Sequence, residues 1–131
     1  MKSARDPSSI VSRQRLAQDR QMVERFLHRS VPRIVSRFPR VQKIILFGSY
    51  AKGRPTRNSD VDLFIIMPTR QRWNDRLRTM HALFPDRPAP LDFVVRTPQE
   101  VQQRLTSYFC PFTREVMQKG RVVYEAPSRR S

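Results

Sequence analysis

The sequence predicts a single α/β domain, and three observations carry that prediction. Apolar residues recur at helical spacing in some stretches, whereas other short stretches are rich in β-branched and aromatic residues. The two kinds of segment alternate as helix, strand, short helix, strand, helix, strand, helix, strand. A length of 131 residues suits one domain with one hydrophobic core. We expect that domain over 9–125, between disordered tails at 1–8 and 126–131.

The first third of the chain predicts a long helix followed by a strand. Apolar residues return every three or four positions over 10–38, which is typical of a helix packed on one face. Pro32 lies inside this stretch and predicts a kink or a new first turn. The run Val-Gln-Lys-Ile-Ile-Leu-Phe over 41–47 predicts the first strand, which ends at Gly48.

The middle of the chain alternates between turn-forming and apolar segments. A short helix over 49–52 is expected directly after the first strand, with Gly53 as its end. Residues 54–59 have the composition of a loop. The run 61–67 is apolar except for one aspartate and predicts a strand covered on both faces. Helical periodicity returns over 70–84.

The last third predicts a strand, two helices and a final strand. Residues 91–95 are apolar except for one acid and form the third predicted strand. A capping box from Thr97 to Glu100, with proline at the first helical position, begins a helix expected to reach about residue 109. A shorter helix and a last strand follow, over 113–119 and 121–124.

The balance of charged residues leaves two interpretations open. The formal net charge is +15, which is typical of proteins that bind nucleic acids or acidic partners. Only four of the 26 basic residues are lysines, however, and the arginines are spread along the chain. Codon bias in a GC-rich genome produces the same composition without any ligand. The charge therefore permits a nucleic-acid partner but does not favour one.

Cysteine content and hydropathy indicate the compartment. Cys110 is the single cysteine, so no internal disulfide forms, as is usual in the reducing cytoplasm. No apolar run approaches the roughly 18 residues of a membrane helix. The first residues contain no apolar signal region. We expect a cytoplasmic protein without a membrane segment.

A glycine and a serine at the end of the first strand predict a phosphate-binding site. Gly48 lets the backbone approach a ligand without an intervening Cβ, and Ser49 adds a hydroxyl donor. The free N–H groups of a following helix would favour the same anion. Lys52 lies close enough along the chain to reach a triphosphate, although loop cations are commonly only solvated.

Asp60 and Asp62 predict a site for a divalent cation. Strand residues two apart project to the same face, so the two carboxylates converge at the start of an apolar strand. Like charges there are costly unless a cation neutralises them, and Mg²⁺ prefers carboxylate and phosphate oxygens. The alternative is a turn capped by Asp60 with Asp62 at an exposed edge. The apolar residues that follow argue against that alternative.

Asp92 is the only acid of the third predicted strand and completes a three-carboxylate hypothesis. Three carboxylates could hold two Mg²⁺ ions for in-line displacement at phosphorus, and Asp92 could also act as general base. The alternative role for Asp92 is an ion pair with a nearby arginine. On the first hypothesis, Asp60, Asp62 and Asp92 are both catalytic and metal-binding.

The pattern Gly48-Ser49, ten residues, Asp60-x-Asp62 and a later strand acid resembles the DNA polymerase β-type nucleotidyltransferase superfamily. The brevity of the chain resembles its minimal branch. The resemblance implies a small mixed sheet flanked by helices and metal binding by Asp60, Asp62 and Asp92. It also implies that Gly48 and Ser49 hold the β- and γ-phosphates of ATP.

The same resemblance implies an acceptor and a partner. Many minimal members are antitoxins that transfer AMP from ATP to a tyrosine of an all-helical HEPN toxin, a separate polypeptide. Two alternatives remain open. One is nucleotidyl transfer to RNA or to a small-molecule hydroxyl, and the other is an antitoxin that acts by binding alone. The residues of this chain specify the nucleotide donor and are silent on the acceptor.

Overall fold

The computed structural model of the protein describes residues 7–53, 55, 60–86, 90–107 and 110–127, with side chains from Arg20 onward. The predicted tails fall mainly on residues outside these ranges and stay a prediction. The described helices and strands are α1 (Pro7–Arg37), β1 (Lys43–Phe47), β2 (Val61–Ile66), α2 (Trp73–Ala82), β3 (Leu91–Arg96), α3 (Pro98–Leu105), α4 (Pro111–Lys119) and β4 (Arg121–Glu125).

The strands form one mixed sheet in the order β3-β2-β1-β4. Strand β1 is antiparallel to both of its neighbours, whereas β2 and β3 are parallel. A parallel pair needs a crossover, and α2 provides it between β2 and β3. The predicted fold class, a small mixed sheet flanked by helices, is therefore confirmed.

Helices cover both faces of the sheet, and β2 contributes to both layers. Its residues Val61, Leu63 and Ile65 join the core formed with α1 and α2. The alternate residues Phe64 and Ile66 join a smaller core with α3 and α4. Period-two alternation explains the division, and it confirms the prediction of a strand covered on both faces. It also assigns Asp62 to the face of α3 and α4.

The capping box predicted for α3 is present. The Thr97 hydroxyl accepts a hydrogen bond from Glu100 N–H at 3.1 Å, and Thr97 N–H donates to the Glu100 carboxylate at 2.8 Å. The expected end near residue 109 is wrong, because α3 ends at Leu105. The Thr106 hydroxyl donates to the carbonyls of Gln102 and Gln103, which satisfies acceptors of the last turn.

Two other expectations also change. The helix α1 continues through Pro32 without a new first turn. Pro32 is exposed, so water can reach the carbonyl that loses its hydrogen bond. The predicted helix over 49–52 is absent, and this segment is a series of turns. Within the described residues, no helix has the length and apolar character needed to cross a membrane.

Candidate active site

Three strands bring one side chain each to the same edge of the sheet. Phe47, the last residue of β1, is opposite Asp62 on β2, and Asp62 is opposite Asp92 on β3. Directly opposite residues share a face, and neighbouring strands lie about 5 Å apart. Two acids that are thirty positions apart in the chain are therefore neighbours across one parallel strand pair.

The Asp62 carboxylate has an unfavourable electrostatic environment. Its pKa is raised to about 6, first by burial and then by repulsion from Asp92 and from Asp60. Burial and like charges both disfavour the ionised form. The effect of Asp60 and Asp92 on Asp62 means that all three predicted carboxylates act on one small region.

The same environment suits a divalent cation. None of the ion pairs formed by the described residues involves Asp60, Asp62 or Asp92, so no described arginine or lysine balances their charge. The alternative role of Asp92 as an arginine partner thus finds no support within these residues. Within the described residues, no group of three or more His, Cys, Asp or Glu side chains is arranged so that it could hold a metal ion. Metal binding by the three aspartates therefore stays a prediction. Mg²⁺ is the ion to consider, because it takes one or two carboxylates and completes its shell with water and phosphate oxygens.

The predicted phosphate site is a tight turn rather than a helix. Gly48 has φ of 77°, and its carbonyl accepts a hydrogen bond from Lys52 N–H at 3.1 Å. Gly53 has φ of 69° and ends the turn, where its carbonyl accepts a bond from Arg20 of α1. A single turn has no aligned series of peptide dipoles, so the helix-dipole argument is wrong here. Any phosphate bound here depends on individual groups of the turn, among them the Ser49 hydroxyl.

Gly48 also has a function in the carboxylate site itself. A Cβ on Gly48 would overlap Oδ2 of Asp62, so only glycine allows the turn and the carboxylate to lie in contact. A Cβ on Gly53 would meet only the Arg20 guanidinium, at an ordinary 3.6 Å. The turn at Gly48 and the Asp62 carboxylate are thus packed directly against each other.

A cavity of about 240 Å³ opens beside this turn, between β1 and α4. Phe47 and Phe112 meet edge to face along its apolar wall, with ring centroids 5.4 Å apart. Lys52 lies at its rim, 3.7 Å from the Glu115 carboxylate in an exposed ion pair. Such a pair is weak, so Lys52 can exchange Glu115 for a phosphate.

Sequence reasoning missed the contribution of α4 to this region. Phe112 is 45% exposed at the cavity beside Gly48. Glu115 was not singled out, although it holds Lys52. No local pattern marks either residue, because α4 reaches the site only through its packing against β1 and α3.

Comparison with known proteins gives one family match and one similar solved structure. Residues 28–124 match the family model described as a nucleotidyltransferase domain. No curated protein sequence matches the chain. Among solved structures, a protein from Sulfolobus solfataricus described as a candidate nucleotidyltransferase is similar, with 22% sequence identity and a TM-score of 0.44. The alignment covers 78% of this chain and 85% of that one.

Proposed function

Because the chain belongs to the nucleotidyltransferase domain family, we propose that it transfers AMP from ATP to a hydroxyl group in a Mg²⁺-dependent reaction. The observation that carries this proposal is the row of Asp62 and Asp92 on paired strands, with Gly48 in contact with Asp62. Unbalanced carboxylates beside a glycine turn are the arrangement that a metal-bound triphosphate requires.

The proposed reaction makes one bond and breaks one. The acceptor oxygen bonds to the α-phosphorus of ATP, and the bond from that phosphorus to the leaving pyrophosphate breaks. Asp60, Asp62 and Asp92 would hold Mg²⁺, which would supply positive charge to the triphosphate and the leaving group. Asp92 is exposed at the edge of the sheet and is the proposed acceptor of the hydroxyl proton. Gly48, Ser49 and Lys52 orient the β- and γ-phosphates.

The acceptor we favour is a tyrosine of a HEPN toxin, with this chain as its antitoxin. Support comes from the resemblance of residues 49–53 and 59–63 to the minimal branch of the superfamily. Phe112, exposed beside the glycine turn, offers an edge-to-face contact to an incoming aromatic ring. RNA is the second acceptor we consider, because the net charge of +15 is compatible with an anionic substrate.

The test uses ATP labelled at the α-phosphate, Mg²⁺ and the purified protein. A HEPN-type toxin encoded beside it serves as one acceptor and an RNA oligonucleotide as the other. We expect labelled toxin with the wild-type protein and none with Asp62→Asn. Asp75→Asn is the matched control, since Asp75 is an exposed acid of α2 paired only with Arg78.

The outcomes separate the versions of the proposal. Label on RNA alone would replace the tyrosine acceptor but keep nucleotidyl transfer. Equal labelling by wild type and Asp62→Asn would overturn the carboxylate mechanism. Protection against the toxin by an Asp60→Asn, Asp62→Asn double variant would instead support action by binding alone.

A further inference from the structure

A second charged region lies on the same face of the sheet as the aspartates, at the other end of β3. We call it the Trp73 surface and define it by Trp73, Arg96 and Arg104. The guanidinium carbons of Arg96 and Arg104 lie 3.8 and 4.8 Å from the centroid of the Trp73 ring. Three elements contribute to it, namely the start of α2, the end of β3 and the last turn of α3.

Among the described residues, Glu100 is the carboxylate that contacts this surface, and its hydrogen-bonding capacity is already used. Glu100 accepts bonds from the buried Arg76 at 2.7 and 3.3 Å, and from Thr97 N–H at 2.8 Å. Its remaining contact is with Trp73 Nε1 at 3.1 Å, which fixes the plane of the indole ring. Glu100 therefore balances Arg76 and orients Trp73.

Arg96 and Arg104 consequently carry charge that no described carboxylate pairs with. Arg96 donates to the Val95 carbonyl, and Arg104 lies 3.9 Å from the Cys110 sulfur. The pKa of Arg96 is lowered by burial and then by repulsion from Arg104, and the charge of Glu100 offsets this lowering only in part. Two guanidinium groups that lie against the same ring and repel each other suit an anion.

The exposed Trp73 ring favours an anionic ligand that also carries an aromatic group. Trp73 is 44% exposed, although it is held by Glu100 and stacked against arginine. Single-stranded RNA presents phosphates to guanidinium groups and bases to aromatic faces, so it uses both features. An acidic peptide would use the charges alone. Arg96 lies four positions after Asp92 along β3, so the surface lies about 13 Å from the carboxylates.

We propose that the Trp73 surface binds single-stranded RNA, with phosphates at Arg96 and Arg104 and a base stacked on Trp73. The net charge of +15 adds a long-range attraction for the same partner. Binding here does not require that RNA be the acceptor of AMP. The inference therefore stands or fails separately from the proposed function.

Trp73 is the single tryptophan of the chain, so its fluorescence reports on this surface alone. We suggest titrating the full-length Asp62→Asn protein with a 12-nucleotide oligo(U) at two salt concentrations. Saturable quenching is expected. Arg96→Ala and Arg104→Gln should each lower the magnitude of the salt slope by about 0.7, the value for one lost phosphate contact on a single strand. Arg78→Ala is the matched control, because Arg78 lies on α2 with its side chain 82% exposed.

Binding of a labelled oligo(U), followed by anisotropy, tests the stacking contact. Trp73→Leu should weaken it by roughly 5- to 150-fold, the range for loss of one stacked base. Trp73→Phe should retain most of the affinity, which separates stacking from a folding defect. Equal salt slopes for Arg104→Gln and Arg78→Ala would overturn the proposal. Competition by oligoglutamate of equal length as strong as that by RNA would also overturn it, in favour of an acidic protein partner.

Discussion

Asp62 and Glu100 are both partly buried carboxylates, yet their pKa values move in opposite directions, to about 6 and about 2. At Asp62, burial and the charges of Asp92 and Asp60 all oppose ionisation. At Glu100, burial also opposes ionisation, but hydrogen bonds from Arg76, Thr97 and Trp73 outweigh it. The Asp62 carboxylate has no positively charged partner among the described residues, whereas the Glu100 carboxylate is paired with Arg76 and hydrogen-bonded by Thr97 and Trp73.

This difference separates a carboxylate proposed to act in catalysis from one that stabilises the fold. Glu100 links α2 to the first turn of α3, so its charge stabilises the fold. Asp62 lies in a strand that is otherwise buried, where its unbalanced charge destabilises the fold. Substitutions at the two positions should therefore have opposite consequences for stability and activity.

The largest expected effect is loss of transfer in Asp62→Asn. The amide cannot supply the negative charge that binds Mg²⁺, so we expect a decrease in kcat/KM of about 10³-fold, as for loss of one strong electrostatic contact in a transition state. The measurement is the initial rate of label transfer at saturating Mg²⁺. A decrease smaller than tenfold would show that Asp62 is not a metal ligand.

Glu100→Ala should instead mainly affect stability. It leaves the buried Arg76 without its carboxylate, although the hydrogen bonds of Arg76 to the carbonyls of Gln71 and Val95 remain. Loss of one member of a buried ion pair costs about 3 kcal/mol. Urea unfolding followed by circular dichroism measures this cost. Asp75→Ala removes the exposed pair with Arg78 and should cost less than about 1 kcal/mol. Equal losses of unfolding free energy in the two variants would contradict a larger contribution from the buried Arg76–Glu100 pair than from the exposed Asp75–Arg78 pair.

Gly48→Ala and Gly53→Ala form a matched pair at the turn. Both residues have positive φ, so alanine should cost each about 1–2 kcal/mol of stability. Only at Gly48 does the new Cβ displace the Asp62 carboxylate. Transfer activity, measured below the melting temperature of both variants, should decrease strongly in Gly48→Ala alone. Similar activities would indicate that contact between the turn and Asp62 is dispensable.

The smallest expected effects are those of pH on stability. The raised pKa of Asp62 contributes stability that is complete below its unfolded value near 3.8 and is lost as pH rises through about 6. Without metal, Asp62→Asn should therefore gain melting temperature relative to wild type between pH 5 and pH 8. Added Mg²⁺ should reduce this difference. A constant difference across that range would argue against the raised pKa.

The lowered pKa of Glu100 predicts the opposite dependence. Its contribution is complete above the unfolded pKa near 4.5 and is lost as pH falls towards about 2. Wild type and Glu100→Ala should therefore converge in stability as the solution becomes acidic. Melting temperatures of the two proteins at pH 6, 4 and 3 measure the convergence.

Local sequence patterns were sufficient for most of the fold. Apolar runs located all of the described strands, and the capping box located the start of α3. The turn at Gly48 was mistaken for a helix because four residues between glycines carry too little pattern to separate the two. The end of α3 was also missed, since it depends on hydrogen bonds of Thr106 that periodicity does not reveal.

The candidate site was predictable as residues but not as geometry. The spacing along the sequence predicted Gly48, Asp60, Asp62 and Asp92 as site residues, and their catalytic roles stay predictions. No local pattern gives the parallel pairing that sets Asp62 opposite Asp92, because strand order depends on packing across the whole domain. The same holds for Phe112 and for the cluster around Glu100, which join elements distant in the chain.

The parallel pairing of β2 with β3 has a consequence for how this chain can change in length. Insertion of one residue within β3 would turn Asp92 to the opposite face, under α2, and would separate the acids. Insertions in the loops on either side of α2 leave the pairing intact and add little closure entropy. Strand pairing, rather than distance along the chain, thus keeps the acids together. Relatives with longer or shorter connections could retain the same chemistry.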